Sequence, residues 1–273
     1  MLPAKSKWSI RELDTEAAER LAQTGGFHPL LAKLLVIRGF RQADEAKKFL
    51  QADLECLHHP FLLDGMAAAV DRIQKAIDQQ QLIRIYGDYD ADGVSSTAIM
   101  VRLFRKLGAR FDYYIPHRTK EGYGLNLKAI ESAKQDGVSL IVTVDNGISA
   151  KAEIEYARSL GMDVVVTDHH EPPEELPDQA AACINPRKPG CPYPFKGLAG
   201  AGVAWKLAHA LCGEIPEELA EIAALGTIAD LMPMTDENRT IVTLGLKRMQ
   251  TSRIPGLNAL FELAGIAGQT IDE

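Results

Sequence analysis

Hydrophobic positions recur at different spacings in two parts of this chain. Over residues 7–80, apolar residues return every three to four positions in segments such as RELDTEAAERLAQTG, PLLAKLLVIRGF and GMAAAVDRIQKAIDQQ, which predicts amphipathic helices. After residue 81, short apolar runs such as LIRIYGD, SLIVTVD and DVVVTDHH alternate with helical segments. The chain is therefore predicted to begin with a helical N-terminal extension over 1–80 and to continue with a different fold.

The alternation after residue 81 is typical of an α/β domain. Strands separated by helices are joined by crossover connections, which place the strands parallel and the helices on both faces. We expect a mainly parallel sheet flanked by helices over 81–250. The segment 171–197 is too rich in proline to be helical, and only AACI within it is a candidate strand. In the helix after it, Val203, Trp205 and Leu207 are expected to be a mixture of core and surface positions.

Composition and charge restrict the class of protein. With 46% hydrophobic and 25% charged residues over 273 positions, the chain has the composition of a soluble globular protein. The sequence has no secretory signal and no apolar run long enough for a membrane span, so we expect a cytoplasmic protein without a membrane partner. The net charge of −7 argues against binding duplex nucleic acid by charge alone, although a local basic groove is compatible with it.

Acidic and imidazole side chains follow several of the predicted strands. Because the carboxyl ends of parallel strands meet at one edge of a sheet, we expect these side chains to lie together. A single aspartate after a strand often caps the next helix, but several carboxylates on one rim repel each other unless cations bind. The residues are Asp88, Asp90 and Asp92 after the first strand, Asp145 after the third, Asp168, His169 and His170 after the fourth, and Asp230 after an apolar helix.

This set of side chains predicts a metal centre and a hydrolytic reaction. Oxygen ligands with imidazole and no thiolate favour Mn²⁺ or Mg²⁺ over structural zinc. Two such ions about 3.5–4 Å apart activate water and neutralise charge at a phosphoryl group, so phosphoester hydrolysis is the predicted reaction. A calcium loop is excluded, because its twelfth position counted from Asp88 is Ile99. A nucleotide-cofactor site would need G-x-G-x-x-G or a P-loop lysine, where this chain has GDYDADG.

The acidic motifs resemble those of the DHH phosphoesterase family in type and in order. The triplet Asp168-His169-His170 matches the residues that give this family its name. Longer strings, among them GDYDADGVSSTA, IPHRTKEGYGLN, VTDHHEPPEELP and LGTIADLMPMTDENR, are similar to a branch of exonucleases specific for single-stranded DNA. The resemblance implies a DHH catalytic domain over 81–250 that degrades single-stranded DNA from the 5′ end in repair and recombination. A single-strand-binding protein and a helicase are further candidate partners.

The same resemblance implies a role for each matching residue. It assigns Asp90 and Asp92 to separate ions and His169 to one ion, whereas Asp145 and Asp230 bind one ion or bridge both. The family pattern often has a histidine where this chain has Tyr86, so Asp88 is a lower-ranked metal ligand. The remaining candidate catalytic residues are His170 facing the substrate phosphate, Asp168 orienting an imidazole, and His117 and Arg118 donating to the scissile phosphate.

Other residues of the site and two alternatives remain open at this stage. Asn185 and Arg187 are candidates to line the same cleft, and Gly197, Gly200 and Gly202 would let a helix N-terminus approach an anion. The first alternative is a family member that cleaves short oligonucleotides, pyrophosphate or cyclic dinucleotides, and the second is a non-catalytic scaffold. The family also carries a further domain, so residues 251–273 are expected to begin a connector, and this chain is expected to be a fragment that binds metal but is weak or inactive on long DNA.

Overall fold

The computed structural model describes residues 11–271 and contains two compact units. The division lies between Cys56 and Leu57, earlier than the predicted boundary at residue 80. The reason is helix α4, Met66–Asp78, whose apolar face packs into the core of the α/β domain. Residues 1–10 and 272–273, which fall within the predicted extension and connector, lie outside the described residues. The connector role of 251–273 stays a prediction.

The first unit consists of three helices around a small core of its own. Asp14 caps the first helix by accepting a hydrogen bond from Ala17 N at 3.0 Å, and Gly26 ends it in the left-handed conformation. Leu21 and Leu35 are buried between the helices. The helical character predicted for this part of the chain is confirmed. The helices are α1 Thr15–Gly25, α2 Pro29–Ile37 and α3 Ala43–Gln51.

The second unit contains a five-stranded sheet in which every neighbouring pair of strands is parallel. Because all strands run in the same direction, their carboxyl ends lie at one edge of the sheet. Their spatial order is β2-β1-β3-β4-β5. The last strand coincides with the AACI segment, as predicted. The strands are β1 Leu82–Tyr86, β2 Phe111–Tyr114, β3 Val138–Val144, β4 Asp163–Thr167 and β5 Ala182–Ile184.

Helices cover both faces of this sheet, which confirms the predicted α/β class. Alternate residues of β3 pack into different cores. Val142 packs with α4 and with residues of the helices Ala91–Lys106 (α5) and Gly200–Cys212 (α8), whereas Ile141 packs with residues of the helices Leu127–Gln135 (α6) and Lys151–Ser159 (α7). None of the described helices has the length and apolar character needed to cross a membrane. Beyond α4, the helices are α5 Ala91–Lys106, α6 Leu127–Gln135, α7 Lys151–Ser159, α8 Gly200–Cys212, α9 Ala220–Ala229, α10 Asp236–Met249 and α11 Pro255–Leu263.

Helix α8 differs from its predicted environment. Val203, Trp205 and Leu207 are all fully buried, so the expectation of mixed core and surface positions is wrong. The reason is that α8 packs against α4, α5 and α9 as well as the sheet. Its N-terminus reaches the edge of the sheet where the strands end, and it therefore forms part of the site described next.

Candidate metal centre

The loop after β1 brings three carboxylates close together. Asp90 caps α5, because its Oδ1 accepts a hydrogen bond from Gly93 N at 2.9 Å. A Cβ on Gly93 would lie 2.5 Å from Asp88 Cβ, so the loop closes tightly only with glycine at this position. Asp88 and Asp92 are both buried, and Asp88 Oδ1 has no hydrogen-bond partner among the described residues.

Asp92 is fixed by the N-terminus of α8. Its Oδ2 accepts from Gly200 N at 2.7 Å and its Oδ1 accepts from Ala201 N at 2.8 Å. Helix N-termini bind anions in this way through backbone amides. Of the three glycines singled out in the sequence, Gly200 therefore meets an anion, and the anion is a carboxylate of the protein itself. Gly226 of α9 also packs tightly against this carboxylate, since a Cβ at position 226 would lie 2.6 Å from Asp92 Oδ1.

Asp145 occupies a strained turn directly after β3. Its φ is +62°, a left-handed value that aspartate tolerates better than most residues, and Gly147 follows with φ +106°. The turn is held because Asp145 N donates to Thr167 O at 3.0 Å and the Thr143 hydroxyl donates to Asn146 O at 2.8 Å. The carboxylate is 1% exposed, and Oδ1 has no hydrogen-bond partner among the described residues.

The imidazole of His169 lies among carboxylates from three different elements. Its Nε2 is 3.1 Å from Asp145 Oδ1, without the alignment of a hydrogen bond, and 3.7 Å from Asp92 Oδ2. Asp230, which ends α9, brings Oδ2 to 3.6 Å from the same nitrogen. The ring is buried, and its Nδ1 also has no hydrogen-bond partner in the part of the chain that the structure describes.

Asp168 and His170 form a hydrogen-bonded pair next to this cluster. Asp168 Oδ1 lies 2.7 Å from His170 Nδ1, and its two oxygens also accept from the backbone N–H groups of Ile148, His169 and His170. These contacts suit a residue that orients an imidazole, and that role of Asp168 stays a prediction. The hydrogen bond that Asp168 accepts from the His170 imidazole raises the pKa of His170 to about 9.

Tyr123 is a residue of the site that the sequence did not single out. Its hydroxyl donates to Asp145 O at 3.2 Å and lies 3.2 Å from His170 Nδ1. The ring meets the His170 imidazole edge to face, at a centroid separation of 5.6 Å. The available signal was an aromatic residue between two glycines in the EGYGLN loop.

The ligand atoms fall into overlapping groups that suit divalent cations. The atoms within each group lie within 4.8 Å of one another. Unpaired buried polar atoms are rare in folded proteins, yet Asp88 and Asp145 each contribute an unpaired carboxylate oxygen here. Cations would satisfy them, so the residues fit the predicted ions. The groups at this edge are Asp88, Asp90 and Asp145; Asp92, His169 and Asp230; and Asp145, His169 and His170.

The electrostatics of the cluster point in the same direction. Burial, together with the charges of Asp90 and Asp168, raises the pKa of Asp145 to about 9. Burial and the charge of Asp145 raise the pKa of Asp92 to about 7. Carboxylates held in this way are unfavourable as bare anions, and bound cations relieve both causes.

The remaining predicted residues make contacts outside the three ligand groups. The Arg118 guanidinium lies 5.3 Å above the ring of Tyr89, between two of the acidic residues in sequence. Within residues 11–271, the hydrogen bonds described for His117 stay in its own loop, with Thr119, Lys120 and Glu121. Tyr86, at the family's histidine position, turns its hydroxyl to Gly124 O at 3.0 Å.

Comparisons with known proteins identify the family of this chain. The model of the DHH family, N-terminal domain, matches residues 82–227, just over half of the chain. The single-stranded-DNA-specific exonuclease RecJ of Bacillus subtilis is 52% identical over 265 residues, which is 97% of this chain and 34% of that protein.

Two solved structures share the fold over most of the chain. A crystal structure of RecJ from Thermus thermophilus in complex with Mn²⁺ has a TM-score of 0.77 at 33% identity, covering 93% of this chain and 36% of the other. A structure of RecJ from the same organism with Mg²⁺ has a TM-score of 0.65 at 30% identity, covering 93% and 33%. The present chain thus spans about a third of the length of these relatives. With its motifs, its sheet and its family match in agreement, the chain belongs to the DHH family.

Proposed function

We propose that this chain carries the active site of a two-metal phosphodiesterase that degrades single-stranded DNA from the 5′ end, in DNA repair and recombination. The observation that carries the proposal is the set of overlapping ligand groups at one edge of the sheet. The similarity to RecJ proteins, described as exonucleases specific for single-stranded DNA, supports the choice of substrate. The RecJ structures with Mn²⁺ and with Mg²⁺ support the choice of ions.

Two of the ligand groups account for the two ions. One ion would be held by Asp92, His169 and Asp230, and the other by Asp88, Asp90 and Asp145. This arrangement gives Asp90 and Asp92 to separate ions and supports Asp88 as a ligand, in place of the histidine that this chain lacks. When bound, divalent ions supply positive charge to the phosphoryl oxygens and lower the pKa of water.

The neighbouring side chains are suited to hold and orient the phosphate. His170 is half exposed and its Nδ1 is hydrogen-bonded to Asp168, so its other ring nitrogen, Nε2, can donate to a phosphate oxygen. The Tyr123 hydroxyl lies near the same Nδ1, and its ring packs edge to face against the imidazole and restricts it. Arg118 offers a second cation next to the loop of Asp88 and Asp90. The role of His117 and the protein partners, a single-strand-binding protein and a helicase, stay predictions.

The proposal is tested by hydrolysis of a labelled single-stranded DNA oligomer in Mn²⁺, with matched duplex, a dinucleotide and pyrophosphate alongside. We expect 5′-mononucleotides from the single strand and none after Asp145→Asn. The matched control is Asp78→Asn, which changes an exposed aspartate at the end of α4. Cleavage of the small substrates alone would move the chain to the other branches of the family. If none of the substrates is cleaved in a metal-dependent reaction, the proposal is wrong.

A further inference from the structure

A groove opens beside the metal centre, on the surface of the α/β domain. Its volume is about 740 Å³, within the roughly 300–1,000 Å³ typical of ligand sites. Three chain segments form its walls: the residue after the DHH triplet, the proline-rich segment before α8, and the loop after α9. Its lining includes Glu171, Arg187, Lys188, Phe195, Lys196 and Pro233.

Each wall of the groove is continuous with a residue of the metal centre. Glu171 directly follows His170, and Pro233 lies three residues after Asp230. Lys196 and Gly197 lead into the N-terminus of α8, which holds Asp92. The lining of the groove is therefore joined along the chain to three separate parts of the metal centre.

One buried amide joins the groove to the DHH triplet. Asn185 Nδ2 donates to His170 O at 2.9 Å, and Asn185 Oδ1 accepts from Arg187 N at 2.8 Å. Asn185 is completely buried, so it fixes the direction in which the chain leaves β5. Arg187 is consequently held at a defined place next to His170.

The charge of the groove is opposite to that of the chain as a whole. The chain has a net charge of −7, whereas the groove is lined by three cationic side chains and Glu171. Lys188 is paired with Asp64 at 2.5 Å and is mostly buried, so it contributes little. Arg187 reaches Glu171 only at 3.4 Å, in an exposed pair of little strength. The Lys196 ammonium donates to Cys191 O, a neutral acceptor, and no carboxylate among residues 11–271 forms an ion pair with it.

The groove also has an apolar wall. Phe195 is partly buried against the core and faces the groove together with Pro233. Single-stranded DNA presents both phosphates and unstacked bases, and proteins bind it with cationic grooves that contain aromatic rings. A small anion would use the cations alone, and an apolar ligand would use the ring alone. A single strand uses both.

We propose that this groove holds the nucleotides adjacent to the scissile phosphate, with Arg187 and Lys196 contacting phosphates and Phe195 contacting a base. The inference rests on the proposed function and adds to it the path of the DNA beyond the metal centre. It also explains how a chain of negative net charge binds a polyanion, since the required positive charge is local.

The test measures binding of a hydrolysis-resistant phosphorothioate oligothymidylate by fluorescence anisotropy in Mn²⁺ at several salt concentrations. Each phosphate contact on a single strand contributes about −0.7 to the slope of log K against log salt. Arg187→Gln and Lys196→Gln should each reduce the size of the slope by about 0.7, and the double variant by about 1.4. The control is Lys106→Gln, an exposed lysine at the end of α5 distant from the metal centre, roughly 24 Å away along the 16-residue helix.

The possible outcomes separate this inference from the proposed function. Hydrolysis of bis(p-nitrophenyl) phosphate by the wild-type chain in Mn²⁺ reports on the metal centre without requiring the groove. If the wild type cleaves this ester and binds the oligomer, but the double variant keeps the wild-type slope, the groove serves another occupant, such as a protein segment, and the inference is wrong. A wild type that cleaves the ester but does not bind the oligomer also overturns it. If the wild-type chain does not cleave the ester, the proposed function itself is contradicted.

Discussion

Replacing Gly200 by alanine should damage the metal centre without damaging helix α8. A Cβ at this position would lie 2.4 Å from Asp145 Oδ1 and 2.7 Å from its Cγ, and real Cβ atoms essentially never come within 3.0 Å of such atoms. Either α8 or the carboxylate must therefore move by at least about 0.6 Å, and overpacking of this kind costs about 1–3 kcal/mol. The backbone conformation at this position is compatible with alanine, because Gly200 is helical and alanine is the better helix former.

The displacement reaches the ions through two residues. If the carboxylate moves, Asp145 is displaced directly. If α8 moves, Asp92 is displaced with it, because its carboxylate accepts from the amides of Gly200 and Ala201. Disturbing groups that orient metal ligands typically lowers metal affinity about 10–100-fold. We expect a loss of this size for Mn²⁺, measured by titration calorimetry, and a smaller Mn²⁺-induced rise in Tm.

Gly202→Ala is the matched control, two residues further along the same helix. Its Cβ would lie 3.2 Å from Leu198 Cδ2, the flexible end of a side chain, so a small shift accommodates it. This variant should bind Mn²⁺ like the wild type and gain up to about 1 kcal/mol from helix propensity. Equal Mn²⁺ affinity for the two variants would refute the reasoning, because it would mean that the position of Asp145 does not limit ion binding.

Three further predictions concern stability. Burial lowers the pKa of His209 to about 4, below its unfolded value near 6.5, so stability is intact above pH 6.5 and is lost as pH falls towards 4. His209→Gln should lose less stability between pH 7 and pH 5 in urea unfolding, and parallel losses would contradict this. Lys206 and Glu237 form an ion pair with no exposed surface, so Lys206→Met should cost about 3–5 kcal/mol in urea unfolding, and adding Glu237→Gln should restore part of the loss. Leu231 is 89% exposed with φ +55°, so Leu231→Gly should raise the free energy of unfolding by about 1 kcal/mol, whereas Leu231→Ala, which keeps the Cβ, should not.

The sheet and most of the cluster could be predicted because they follow from local patterns. Parallel strands force their carboxyl ends to one edge, so acids placed after β1, β3 and β4 had to meet there. The strand order in space, β2-β1-β3-β4-β5, does not follow from the same rule, since sequence spacing restricts neighbours only loosely. The boundary after Cys56 could not be predicted either, because the apolar residues of α4 recur at the same spacing as those of the helices before it.

Contacts between distant residues account for what the sequence did not show. Polar residues such as Lys206 make the sequence of α8 resemble that of a partly exposed helix. The charge of Lys206 is instead buried in an ion pair with Glu237 of α10. The need for glycine at position 200 depends on the carboxylate of Asp145, and the place of Tyr123 depends on His170. In each case the partner is far along the chain, so neither periodicity nor motif spacing contains the information.

The wide spacing of the proposed metal ligands along the chain has a kinetic consequence. The cluster needs the loop after β1, the turn at Asp145, the imidazole of His169 and the end of α9 at Asp230, which come together only when the whole domain has folded. Ions that bind such a site cannot template an early stage of folding. Their stabilisation must therefore act mainly by slowing unfolding, while the refolding rate stays nearly independent of metal concentration.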